Sequence, residues 1–273
     1  MTVTRTVTVA GSPVHLLEGG EGPAVLFLHG SGPGTTGAGA WTSTARTLES
    51  SFHVVAPDQA GFGRTPLPAG SRGGLDLWTR SAGDLMDALG FESYAVVGHS
   101  MGGAVAMALA AARPEQVTRV VAAATMGAPG AGLSPDLDAL WAASSDRAGA
   151  RDMLGRLFLD QSLVTEAAVQ ARALAIQEGA AAFESLFPPP RARWAEDLTL
   201  PPATLAQVRA PVLLVHGAQD RVTPMPAATG PLVEHLPDVR LHVVGECGHA
   251  LMVEQPEVFR GVLSDFLGGD RET

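Results

Sequence analysis

Apolar residues in this chain fall into short dense runs, separated by stretches where they recur every three or four positions. The dense runs are AVLFL (24–28), HVVAP (53–57), YAVVG (94–98), RVVAAA (119–124), VLLVHG (212–217) and LHVVG (241–245). Four to six aliphatic and β-branched residues in a row suit strands buried on both faces, as in a parallel sheet. The first segment, TVTRTVTV, alternates instead, and reads as a strand paired with VHLLEGG. Helical spacing fills the gaps. DLWTRSAGDLMDALG carries Leu77, Ala82, Leu85 and Leu89 on one face. MGGAVAMALAAARP follows YAVVGHS and stops at Pro114, and PEVFRGVLSDFLGG closes the chain with a glycine stop. Strands alternating with helices predict an α/β fold: a mostly parallel, doubly wound sheet of eight strands flanked by helices.

The rhythm breaks once. From Leu133 to Pro202 no strand pattern occurs, and PDLDALWAASSD, ARDMLGRLFLD and LVTEAAVQARALAIQEGAAAFESLF all read as helices. Prolines 188–190 and 201–202 punctuate the end of this segment. It predicts a helical lid inserted between two strands, so that residues 1–132 and 203–273 form one core and 133–202 cover it. The tail GGDRET is expected to fray.

Charge and composition narrow the function. With 18 Lys and Arg against 28 Asp and Glu, the net charge of −10 argues against nucleic acid and offers no basic membrane patch. One cysteine, Cys247, permits no intrachain disulfide and fits a reducing compartment. No apolar signal core opens the chain, and no apolar run approaches the ~20 residues of a membrane span. No metal-binding spacing such as HExxH occurs. The expectation is a cytoplasmic protein acting on a small molecule, with no metal and no membrane or nucleic-acid partner.

The chemistry concentrates in YAVVGHSMGGAVAMAL. A strand enters Gly98-His99-Ser100-Met101-Gly102 and a helix leaves it. This is the G-x-S-x-G nucleophile elbow, whose tight turn lifts Ser100 above the sheet at a helix N-terminus. A serine needs a base, and the base needs an orienting acid. His249 lies in GECGHALMVEQPE, after the last strand pattern, and Asp220 lies in HGAQDRVTP, after the strand before it. Both fall at carboxyl ends of strands, where such sheets keep their sites, and the chain order Ser100, Asp220, His249 suits the elbow. Asp58 precedes the serine and reads as a turn residue. The glycine-rich HGSGPG (29–34) follows the AVLFL strand, where the second oxyanion donor belongs. The expected hole is the backbone N–H of Ser31 and Met101, with Gly32 contributing.

Together HGSGPG, DQAGFGRT, GHSMGG, HGAQDRVTP and CGH…EQPE resemble the α/β-hydrolase superfamily over essentially the whole chain. HGSGPG, Trp41 and the lid segment QARALAIQEGAAAFESLFPPPRARW are similar to the meta-cleavage product hydrolases, especially the 2-hydroxymuconate semialdehyde hydrolase branch. That resemblance implies cleavage of a carbon–carbon bond in 2-hydroxy-6-oxo-2,4-dienoates, without any cofactor, by enzymes that are often dimers or larger. It implies that Arg172 binds the substrate carboxylate. Phe183, Phe187 and Trp141 are expected to line the pocket, and Trp194 is expected there as well as in the packing between lid and sheet. Two positions depart from the family pattern: His99 replaces an asparagine, and Ala250 replaces a tryptophan after the catalytic histidine. Two other readings stay open on the residues alone. A carboxylesterase or lactonase would use the same triad, and a non-enzymatic ligand receptor could retain the pocket.

Overall fold

The computed structural model describes residues 1–269. Most of the tail expected to fray, residues 270–273, lies outside them. The alternating N-terminal segment forms β1 (Val3–Val9), which pairs antiparallel with β2 (Ser12–Gly19). The dense apolar runs form β3 (Ala24–Leu28), β4 (His53–Pro57), β5 (Tyr94–His99), β6 (Val117–Ala123), β7 (Val212–Gly217) and β8 (Val239–Val244). The eight strands lie in the order β1-β2-β4-β3-β5-β6-β7-β8. Only the two pairings of β2 are antiparallel. β3 and β7 are buried along their whole length, which is why they read as unbroken apolar runs. The chain winds outward from β3 to β4 and returns to β5 on the other side, so the order reverses between β3 and β5. Ligands in open α/β sheets bind at such a reversal, outside the carboxyl ends of the strands. Here those two ends carry HGSGPG and the serine turn.

Helices cover both faces. On one side α1 (Gly37–Leu48) lies near the C-terminal helix, with Trp41 buried between Phe27 and Phe259 at ring distances of 5.0 and 6.4 Å. On the other side α2 (Leu75–Ala88) packs on α3 (Met101–Ala112), whose first ten residues are all buried.

Between β6 and β7 the chain forms α4 (Pro135–Trp141), α5 (Arg147–Leu157), a 3₁₀ turn at 161–163, α6 (Glu166–Leu186), α7 (Ala192–Asp197) and α8 (Pro202–Leu205). Polar caps start the first three helices of this stretch. Ser134, Asp146 and Thr165 each accept the backbone N–H three residues on, at 3.0, 2.7 and 3.2 Å. α6 rides directly on the glycine loop. A Cβ at Gly34 would lie 2.4 Å from the Ala175 backbone, and one at Gly179 would lie 3.0 Å from the Gly34 nitrogen. The remaining helices are α9 (Met225–His235), α10 (Leu251–Glu254) and α11 (Pro256–Gly268). α9 was not legible as a helix because Pro231 sits inside it. Among the described residues no helix is long and apolar enough to cross a membrane.

Candidate active site

The turn after β5 forces Ser100 to φ 55°, ψ −120°, a strained backbone for a side chain with a Cβ. Sterics around it explain the flanking glycines. A Cβ at Gly98 would lie 2.0 Å from the Gly102 carbonyl oxygen, and one at Gly102 would lie 2.2 Å from that of Leu28. The turn is tied down by its backbone: Ser100 N–H donates to Ala123 at 2.9 Å, and its carbonyl accepts from Gly103 and Met126, each at 3.0 Å. Met101 opens α3, where the first N–H groups have no intrahelical partner.

The HGSGPG loop closes over this turn. A Cβ at Gly30 would meet the Ser100 Cβ at 3.1 Å and His99 Nδ1 at 3.3 Å, so a larger residue would push the loop off the serine turn. His29 anchors the loop. Its Nδ1–H donates to the Gly30 carbonyl at 2.8 Å and its Nε2 accepts the Gln59 N–H at 3.0 Å, while the Gln59 amide returns to the His29 carbonyl at 2.7 Å. Asp58, read from sequence as a turn residue, accepts Gly37 N–H at 2.7 Å and Arg64 N–H at 2.9 Å. From the helical insertion, Trp141 Nε1–H donates to Ser31 Oγ at 2.8 Å.

Asp220 and His249 come together from the loops after β7 and β8. Gly217 lets those loops touch, since a Cβ there would lie 2.1 Å from the Gly248 carbonyl. His249 Nδ1 lies 2.9 Å from Asp220 Oδ2. Oδ1 accepts the N–H of Val222 at 2.8 Å and of Thr223 at 2.9 Å, and Oδ2 also accepts the Thr223 hydroxyl at 2.8 Å. Burial alone would raise the Asp220 pKa, but the imidazoles of His249 and His216 outweigh it and hold the carboxyl well below the usual carboxylate range. An ionised acceptor at Oδ2 fixes the proton of His249 on Nδ1 and leaves Nε2 as a lone pair. Two partners in this network were not singled out from sequence. Thr223 follows the acid by three residues, and His216 ends a buried strand like any apolar neighbour.

Ser100 and His249 line one cavity of about 780 Å³ between the sheet and the insertion. Ser100 Oγ makes no hydrogen bond within the protein among the described residues. His99 lines the same cavity. Its Nε2–H donates to the His249 carbonyl at 3.0 Å, and the two rings lie 4.7 Å apart. Burial first, and then the neighbouring His249, push the His99 pKa down to about 3, so this ring is neutral. Leu137, Leu140, Met153, Leu154 and Phe158 make another wall apolar, and Ala250 contributes no bulk beside His249.

Arg172 reaches the cavity from α6. Among the described residues its guanidinium makes one hydrogen bond, Nη1–H to the Pro33 carbonyl at 3.5 Å, and pairs with no carboxylate. Burial pulls its pKa down, the mark of a cation held without a counter-charge. Of the aromatic residues expected at the pocket, Phe183 lines it. Phe187 and Trp194 do not. Phe187 is fully buried, stacked on Trp78 at 5.8 Å and Trp141 at 5.2 Å, and Trp194 stands edge-on to it at 5.9 Å with Nε1–H donating to the Pro188 carbonyl at 2.7 Å. Aromatic packing between the insertion and the core holds these two rings, and Trp141 with them, away from the cavity.

A strained serine above the sheet, a buried aspartate–histidine pair and a cavity over the strand reversal define a hydrolase-type site. The profile of the alpha/beta hydrolase fold family matches residues 23–256, and the chain belongs to that family. Within it, the proteins this chain is similar to include meta-cleavage product hydrolases. The chain is 34% identical over 269 residues to 2-hydroxymuconate semialdehyde hydrolase of Pseudomonas sp. (strain CF600), covering 97% of this chain and 94% of that one. It is also 34% identical to 2-hydroxy-6-oxo-2,4-heptadienoate hydrolase of Pseudomonas putida (strain F1), covering 98% and 97% of the two chains. Among solved structures, the meta-cleavage product hydrolase CumD from Pseudomonas fluorescens IP01, a mutant complexed with acetates, superposes with a TM-score of 0.93 at 31% identity over 97% of each chain.

Proposed function

We propose that this chain hydrolyses the C5–C6 bond of 2-hydroxy-6-oxo-2,4-dienoates, with Ser100, His249 and Asp220 as its catalytic triad. The observation that carries this reading is Arg172. An unpaired guanidinium in the same cavity as the serine suits a substrate that brings its own carboxylate. A neutral ester has no use for it. The names of several sequence relatives, hydrolases of such dienoates, point the same way.

In this reading the carboxylate docks on Arg172 and the C6 carbonyl lies over Ser100. The dienol first becomes the ketone: the 2-hydroxyl loses its proton and C5 gains one, with His249 Nε2 in reach as the shuttle. His249 then takes the proton of the Ser100 hydroxyl, or of a water, as the oxygen attacks C6. The N–H groups of Ser31 and Met101, with Gly32 contributing, bind the resulting oxyanion. Collapse breaks the C5–C6 bond, and its electron pair passes into the conjugated C2 carbonyl. Protonation of this dienolate gives 2-hydroxypenta-2,4-dienoate. Water completes the acyl half as a carboxylic acid, so one water is consumed per turnover. The helices between β6 and β7 act as the lid that keeps bulk water out. We place the enzyme in the cytoplasm, on the single thiol and the catabolic relatives, and expect a homo-oligomer, as its family resemblance implies.

The test compares Arg172→Ala on two substrates. A buried guanidinium–carboxylate contact is worth ~2–4 kcal/mol on truncation, or roughly 30-fold to 10³-fold in kcat/KM for the dienoate. Hydrolysis of a neutral p-nitrophenyl ester should stay near wild type. Equal losses on both substrates would make Arg172 structural. No loss on either would turn the reading towards a generic esterase.

A further inference from the structure

His216 ends β7 and is fully buried, four residues before Asp220. Its Nε2 lies 2.8 Å from the Thr223 carbonyl and 3.1 Å from Asp220 Oδ2. Both partners are acceptors only, so Nε2 carries the proton and is shared between them. Its Nδ1 is buried without a partner among the described residues. An unpartnered ring nitrogen is a cost that a strand-end core position would avoid with an aliphatic side chain. The ring is therefore placed for its other nitrogen. Oδ2 of Asp220 is the oxygen that meets His249, and it receives His249 on one side and His216 on another.

We propose that His216 is a positioning residue for the reaction, a second imidazole donor that fixes Asp220 and tempers the pull of its carboxylate on His249. The proposal rests on the triad reading above. Removing the His216 N–H leaves more negative charge on Oδ2 facing His249. The protonated form of His249 is then favoured, and the base becomes active only at higher pH. Two titratable neighbours of this network stay in one form through the neutral range. His99, on β5, is neutral, and the Cys247 thiol is pushed up to about 12 by burial and then by Glu254 and Asp220. Glu254, on α10, is held by the N–H groups of Gly248, Leu159 and Asp160 at 2.8, 2.6 and 3.1 Å.

The experiment is the pH profile of kcat/KM for wild type, His216→Phe, His216→Gln and His216→Ala, each checked for folding by its thermal transition. His216→Phe keeps the ring and loses the donor. Its acidic limb should move up by about half a unit to one unit, with the plateau about 10-fold lower, the lower end for a hydrogen bond to a charged group. His216→Gln retains an N–H of similar reach and should restore the limb to the wild-type position. A purely structural role would lower the melting temperature and the plateau and leave the limb where it is, which overturns the proposal. If His216→Phe does not fold, His216→Gln decides alone. A restored limb and plateau support the donor role, and a loss equal to that of His216→Ala overturns it. Ser100→Ala is run beside these variants. If it is inactive while His216→Phe shows an unshifted limb, only this inference falls. If it is active, the triad reading falls and takes this one with it.

Discussion

At the residue scale, most of the chemistry proposed for Ser100 follows from backbone constraint. A side chain held at φ 55° stays there only because Gly98, Gly102 and the hydrogen bonds to Ala123, Gly103 and Met126 leave no alternative. In the proposed reaction, Ser100→Ala should lose ~10³-fold or more in kcat with an unchanged melting temperature, measured as loss of dienolate absorbance. Near-normal turnover would remove Ser100 from the mechanism. Asp220→Asn should do similar damage for a different reason. An amide whose oxygen keeps the Val222 and Thr223 N–H groups must turn its NH₂ towards His249 and His216, both of which already present N–H. His249 then adopts the wrong tautomer. A wild-type rate in that variant would mean another carboxylate holds the histidine. Ser100, Asp220 and His249 were legible because each follows the carboxyl end of a strand, within three residues of a glycine, and the three come in the chain order that suits a serine elbow. His216 was not, since a histidine closing an apolar strand looks the same whether its ring packs or donates.

At the scale of elements, the glycine cluster after β3 answers to a helix as well as to the nucleophile. Gly34, at φ +75°, lies under α6 so closely that a Cβ would overlap the Ala175 backbone. Arg172 is one turn earlier on the same helix. Gly34→Ala therefore combines a left-handed backbone, costing about 1–2 kcal/mol for a non-glycine residue, with displacement of α6. The expected result is a lower melting temperature and a larger loss of kcat/KM for the carboxylate-bearing dienoate than for a neutral ester. Equal losses on the two substrates would show that α6 does not set the position of Arg172. From sequence, α4, α5 and α6 could be placed because their apolar spacing is helical. Which aromatic residues face the cavity could not. Phe183 and Phe187 are both buried near the end of α6, and only the packing of Trp78, Trp141 and Trp194 against Phe187 decides that one ring enters the core while the other lines the cavity.

At the scale of the whole molecule, the fold joins its site to its stability through neutral buried imidazoles. The sheet, the insertion and the β8–α10 loop half-bury His99 against His249 at the cavity wall, with its pKa pushed down to about 3. His29, fully buried under the glycine loop, is shifted the same way, by burial first. In the unfolded chain an imidazole titrates near its ordinary value, around 6.5. Between that pH and the folded value the unfolded chain binds more protons, so stability must fall as pH falls and recover as it rises. The contribution of His99 is whole above about pH 6.5 and is lost progressively down to about pH 3. The slope for one such group approaches ~1.4 kcal/mol per pH unit, so a change from pH 6.5 to 4.5 should remove about 2 kcal/mol. His99→Asn abolishes this term and keeps a side-chain N–H able to reach the His249 carbonyl. Denaturant unfolding of both proteins at several pH values should give a clearly shallower acid slope for the variant, with the rest of the slope left by His29 and the carboxylates. Parallel slopes would mean that His99 takes up its proton in the folded protein as readily as in the unfolded chain, and that its closure against His249 is looser than the 3.0 Å hydrogen bond indicates.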